Sequence, residues 1–81
     1  MWIENNNGLE RELKFPSFAA AMAFMQSAIP LIETLDHHPE WSNVYNCVSI
    51  RLTTHDTGTI TDLDRTLAAQ LDTLYNEAHG S

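Results

Sequence analysis

Apolar and polar positions alternate through Leu9, Arg11, Leu13 and Phe15 against Glu10, Glu12 and Lys14. That period of two predicts a strand with one buried face. Just before it stands Asn7-Gly8, a pair suited to a two-residue type I′ turn, in which both positions need positive φ. The expected hairpin pairs Asn6 with Leu9, Glu4 with Arg11 and Trp2 with Leu13. The period then changes in PSFAAAMAFMQSAIPLIETL. Phe18, Met22, Met25, Ile29 and Ile32 recur at helical spacing behind Ser17, a capping residue, so a helix with that buried stripe is expected. Pro30 deprives the Gln26 carbonyl of its partner, which predicts a kink or a break. The apolar pattern running on to Leu35 favours the kink.

Alternation returns at Val48, Ile50, Leu52 and Thr54 against Ser49, Arg51 and Thr53. Trp41 to Tyr45 reads as its antiparallel partner, with a bend near Asn46. After the loop DTGT, a second helix is expected, opened by Thr61 and Asp64 as a capping box. Its two early aspartates suit the positive end of a helix. Leu63, Leu67, Leu71, Leu74 and Tyr75 form its predicted buried stripe. The order ββαββα over residues 1–81 predicts a single α+β domain. It is a two-layer sandwich, a four-stranded antiparallel sheet with helices on one face.

Composition narrows what such a domain can do. A net charge of −7 with four Lys and Arg argues against nucleic acid, whose phosphates need clustered cations. It argues equally against an anionic membrane surface. The lone Cys47 excludes an internal disulfide, so a reducing, cytoplasmic setting is expected. No basic-then-apolar leader and no apolar run of about 18 residues is read. With 81 residues the core is small, which favours self-association.

The candidate chemistry lies in DHHPEW, residues 36–41. Pro39 pushes His38 out of the helical region and stiffens the connection. Adjacent side chains in extended backbone point apart, so His37 and His38 can flank a small ligand. A bend near Asn46 makes Glu40 and Thr54 rough neighbours and returns His55 towards the pair. His79, near the C-terminus, reads as a surface residue. Glu33 and Asp36 with the three histidines offer zinc-ligand chemistry. Against it, adjacent imidazoles diverge, no i,i+4 pair exists and Cys47 lies mid-strand. Nucleophilic catalysis finds no supporting motif. Acid–base work by imidazoles is the favoured reading.

The run LDHHPEWSNVYNCVSIRLTTHDTGTITDLDRTLA closely resembles the pterin-4a-carbinolamine dehydratase family. Asp36, His37-His38-Pro39, Trp41, Val44-Tyr45-Asn46, Thr54-His55-Asp56, Gly58 and Asp64 carry the likeness. The resemblance implies loss of water from 4a-hydroxytetrahydrobiopterin, giving quinonoid dihydropterin in tetrahydrobiopterin recycling. It further implies catalysis by His37, His38 and His55, with Pro39, Thr54, Asp56 and Thr57 contacting the pterin and Glu33 near the site. For Asp36, Asp56 and Glu33 three roles stay open: orienting the imidazoles, raising their pKa values, or binding the amino-pyrimidine edge. Trp41 reads as core. No metal or organic cofactor is implied; homodimers through sheet edges or homotetramers through helices are. Relatives on this fold also serve as a transcriptional dimerisation cofactor or as an assembly factor for a carbon-fixing enzyme. Retention of both HHP and THD favours the enzyme. Thr59, where a second glycine is common, and Pro30 depart from the family pattern.

Overall fold

The computed structural model describes residues 1–78, and His79 lies outside them. The elements are β1 (Ile3–Asn5), β2 (Gly8–Lys14), α1 (Phe18–Leu35), β3 (Glu40–Val44), β4 (Cys47–Leu52) and α2 (Asp62–Ala78). They build the expected ββαββα domain, with antiparallel strands in the order β1-β2-β4-β3. Leu9, Leu13, Val48, Ile50 and Leu52 bury one face of the sheet against Ala21, Phe24, Ala28 and Ile32 of α1 and Leu67, Ala68 and Leu71 of α2. Phe24 is at the centre; its ring lies 5.2 Å from Phe15, which meets Tyr75 edge-on at 5.3 Å. Losing a buried ring of this kind costs about 3–5 kcal/mol.

The first hairpin differs from its predicted register. Its turn is Asn6-Asn7, at φ 51° and 63°, and Glu4 pairs with Leu9 rather than Arg11. Asparagine tolerates the left-handed region, and Gly8 is needed for something else. A Cβ at Gly8 would lie 2.5 Å from the Arg51 guanidinium. That guanidinium donates to the turn carbonyls of Asn5 at 2.8 Å and Asn6 at 2.7 Å, and to Glu10 at 2.6 Å. The glycine makes room for the clamp. Because the shift along β2 is an even number of residues, every side chain keeps its predicted face.

Helix α1 also turns a different side inward. Ser17 caps it as expected, its hydroxyl accepting from the Ala20 N–H at 3.1 Å. Of the predicted stripe only Ile32 is buried, while Phe18 and Ile29 remain 49% and 51% exposed. The helix is apolar nearly all round, so spacing alone offered two stripes. The small Ala21 and Ala28 let it sit close to the sheet, and Phe24 fills the space between them. Pro30 does not break the helix, which continues to Leu35; the proline lies on the exposed side, where water can meet the freed carbonyl. By length and composition α1 is apolar enough to cross a membrane, contrary to the reading of the sequence. Here its Ala21–Phe24–Ala28–Ile32 face is packed in the core.

In α2, Leu63 is 41% exposed and Asp64 takes the inward position beside it, with no exposed surface. The second hairpin turns tightly at Tyr45-Asn46, with Tyr45 at φ 53°. Asn43 Nδ2 holds this uncommon conformation by donating to the carbonyls of Tyr45 at 3.0 Å and Cys47 at 2.9 Å. The result is a fixed register in which Glu40 pairs with Arg51, three residues before Thr54. There is no slack in a two-residue turn.

Candidate active site

Two chain segments carry the candidate residues. The first is the end of α1. Asp36 adopts a left-handed conformation at φ 50° and ψ 43°. Its N–H donates to the Glu33 carbonyl at 3.1 Å and the next N–H, of His37, donates to Ile32 at 3.3 Å. This pair of bonds is a Schellman motif with aspartate where glycine is usual. Asp36 therefore positions the histidines through its backbone; its side chain is exposed.

The second segment is the loop after β4. Thr54 and Thr59 form a bridge, and the Thr54 carbonyl accepts from the N–H groups of Thr57 at 3.2 Å and Gly58 at 2.9 Å. Gly58 sits at φ 68°, in the left-handed region that its missing Cβ allows. The loop closes with Thr59 in place of a second glycine. The Thr57 hydroxyl is tied back to the carbonyls of Thr54 and Thr59 at 3.3 and 3.4 Å.

Asp64 joins the two segments. Its Oδ2 accepts from the Thr61 N–H at 2.9 Å, the carboxylate half of the capping box, and from the Thr54 hydroxyl at 2.8 Å. Its Oδ1 lies 2.5 Å from His37 Nε2. Thr54 and Thr61 hydroxyls meet at 2.7 Å. Burial pushes the Asp64 carboxyl up, but the His37 hydrogen bond, the Thr61 N–H, the Thr54 hydroxyl and the His37 charge together hold it below the usual carboxylate range. Charge-assisted bonds to the ionised form outweigh desolvation here. From the sequence Asp64 reads as a capping residue and as one of the positions that carry the family likeness, with no role assigned in the site. Its replacement of the usual glutamate in the box was the available signal of a further role.

Each candidate imidazole faces its own carboxylate. His37, with 11% of its side chain exposed, has Asp64. His38 Nε2 lies 2.9 Å from Glu33 Oε2, in a pair 60% and 66% exposed. His55 Nε2 lies 3.3 Å from Glu40 Oε2. Glu33 thus meets His38, and Glu40, which sequence reading left out of the site, meets His55. Asp56 is exposed and makes no side-chain hydrogen bond among the described residues. Pro39 is half-buried between the two corners, and Trp41 packs against the core as expected. The open face of the sheet carries a groove of about 940 Å³ lined by Glu10, Glu12, Glu40, Ser42, Ser49 and Arg51 among others, and among the described residues no histidine borders it. The cluster of Asp64, His37 and Thr54 is set apart from it, where the end of α1, the start of α2 and the loop after β4 meet.

Fold and side chains define an α+β domain with an imidazole and carboxylate site built from the end of one helix, the start of the other and the loop after β4. The chain belongs to the pterin-4a-carbinolamine dehydratase family: the family model described as pterin 4 alpha carbinolamine dehydratase matches residues 1–74. A relative from Solibacter usitatus, named "Putative pterin-4-alpha-carbinolamine dehydratase", is 52% identical over 90% of this chain and 77% of its own. One of the same name from Prochlorococcus marinus is 48% identical over 93% and 79%. Among solved structures, a transcriptional coactivator/pterin dehydratase from Brucella melitensis superposes with a TM-score of 0.86 at 36% identity, over 93% of this chain and 80% of that one. A pterin dehydratase-like protein described as a RuBisCO assembly factor shares the fold at a TM-score of 0.75 and 24% identity, over 93% of this chain and 87% of that one.

Proposed function

We propose that this chain removes water from a 4a-hydroxytetrahydropterin by imidazole acid–base catalysis. The observation that carries the reading is the buried Asp64 clamp, which ties His37 to Thr54 and so joins the HHP and TH segments at one corner of the fold. Membership of the family supports it. In the reaction the C4a–O bond breaks as the oxygen is protonated, and N5 loses a proton to give the quinonoid ring. Hydroxide is a poor leaving group, so an acid is needed at the oxygen and a base at the nitrogen. A group with an ordinary pKa of about 6.5 serves either role near neutrality. His37 or His38 protonates the departing hydroxyl, and His55 acts at the other side of the ring. Pro39, Thr54, Asp56 and Thr57 contact the pterin, while Glu33 supports His38 and Asp36 sets the backbone that carries the pair. No metal or organic cofactor takes part.

Exposed Phe18 and Ile29 on α1, and Val44 and Tyr45 at the β3 edge, suit a homo-oligomer through helices or sheet edges. The single cysteine suits a cytoplasmic setting.

Stopped-flow mixing with authentic carbinolamine, with and without chelator, tests the activity. Acceleration over the spontaneous reaction, unchanged by chelator, is expected. A rate equal to the spontaneous one would leave a non-catalytic assembly or coactivator role as the better account of the fold.

A further inference from the structure

His55 is the most exposed of the three candidate imidazoles, at 75% of its side chain. A ring so exposed on a loop has several rotamers open to it unless something selects one. The neighbouring Asp56, the obvious partner by sequence, makes no hydrogen bond to it among the described residues. The carboxylate that faces the ring comes from the other strand of the second hairpin: Glu40 Oε2 lies 3.3 Å from Nε2.

Glu40 is itself held in place. It is the first residue of β3, and the tight Tyr45-Asn46 turn sets its register opposite Arg51. Arg51 Nε lies 4.0 Å from Glu40 Oε1. The guanidinium is in turn fixed by Glu10 at 2.6 Å and by the Asn5 and Asn6 carbonyls, in the space that Gly8 leaves. A row of side chains across three strands, Glu10, Arg51 and Glu40, therefore ends at His55.

Resting on the dehydratase reading, we propose that Glu40 is the positioning residue for His55: its carboxylate charge beside Nε2 favours the tautomer protonated there and leaves Nδ1 as the nitrogen presented to the bound pterin. In neutral imidazole one nitrogen donates and the other accepts, so a partner at Nε2 selects the tautomer with Nδ1 free. A surface ion pair adds little to stability. Its consequence here is the direction of the ring and the identity of the nitrogen that handles the proton. His37 and His38 hydrogen-bond their carboxylates through Nε2, and it is the same nitrogen of His55 that lies nearest Glu40.

The test compares wild type with Glu40→Ala and Glu40→Gln by side-chain ¹⁵N spectra of the histidines and by dehydration kinetics. Glu40→Ala is expected to move the His55 ring signals towards a mixture of tautomers and leave those of His37 and His38 in place. A positioned acid–base group is worth roughly 10²–10⁴-fold, and loss of its orientation is expected to lower kcat about tenfold with KM within about twofold. Glu40→Gln keeps an acceptor oxygen and is expected to restore most of both. Unaltered His55 signals in Glu40→Ala would overturn the proposal whatever the kinetics. So would altered signals with an unchanged kcat. If wild type itself fails to turn over carbinolamine, the dehydratase reading falls, and the spectra alone decide whether Glu40 orients His55.

Discussion

Replacing His37 by alanine is expected to slow carbinolamine dehydration by roughly 10²–10⁴-fold, the usual contribution of a positioned general acid or base. His37 should show the larger loss among the three candidate histidines because its geometry is the most constrained. Its backbone closes the Schellman motif at the end of α1, and its ring lies against a carboxylate with no exposed surface. His38 and His55 are mostly exposed and have more freedom to be replaced by water. The alanine variant also leaves Asp64 short of one partner, which costs about 1–3 kcal/mol. Single-turnover rates must therefore be read beside a denaturant titration. A fully folded His37→Ala protein working within a factor of three of wild type would remove His37 from the chemistry.

Asp64→Ala is expected to have the largest effect on stability. The carboxylate accepts from Thr61, Thr54 and His37 at once, and its loss takes a partner from the Thr61 N–H and the His37 ring and leaves the Thr54 hydroxyl with the Thr61 hydroxyl alone. Removing one partner of such a network costs about 3–5 kcal/mol. Activity should fall with it, since the His37 ring loses the group that aims it. Asp64→Asn is the milder variant: it keeps the volume but places an amide where three donors converge. The pH dependence follows from the direction of the shift. The folded-state pKa of Asp64 is depressed relative to about 3.9 in an unfolded chain. Below that value the unfolded state binds more protons than the native one, so stability rises with pH there. The contribution is complete above about pH 4 and disappears as pH falls through the folded-state pKa. Urea midpoints between about pH 2 and pH 6 should therefore drop more steeply in acid for wild type than for Asp64→Asn. Parallel profiles for the two proteins would show that this carboxyl is not held ionised by the fold.

What the sequence revealed depended on how local each feature was. The ββαββα order and the four strands were legible because alternation in β2 and β4 and the caps at Ser17 and Thr61 are short-range signals. The first turn was misplaced by one residue because Asn-Gly is the stronger turn signal in isolation, whereas Gly8 is needed by an arginine 43 positions further on (51 − 8). The stripe on α1 was misread because large apolar residues were weighted above alanines, and it is the alanines that allow close packing on the sheet.

The same division runs through the site. The capping box disclosed the local half of Asp64, its bond to Thr61. The tertiary half, with His37 and Thr54, spans 27 and 10 residues and leaves no periodic trace. Glu33, which the resemblance puts near the site one turn before His37, meets His38. The resemblance places Asp56 among the pterin contacts, and the carboxylate that faces the His55 ring is that of Glu40 on the neighbouring strand. Strand register decides that pairing, and the register depends on a tyrosine in the left-handed conformation, which turn statistics do not anticipate.

The most direct test follows the histidine ring signals while a non-reactive dihydropterin is titrated into the wild-type protein. If one ligand touches both chain segments, the signals of His37, His38 and His55 move along a single saturation curve with one midpoint. Movement at 37 and 38 with no response at 55, or two well-separated midpoints, would mean that these imidazoles do not share a site.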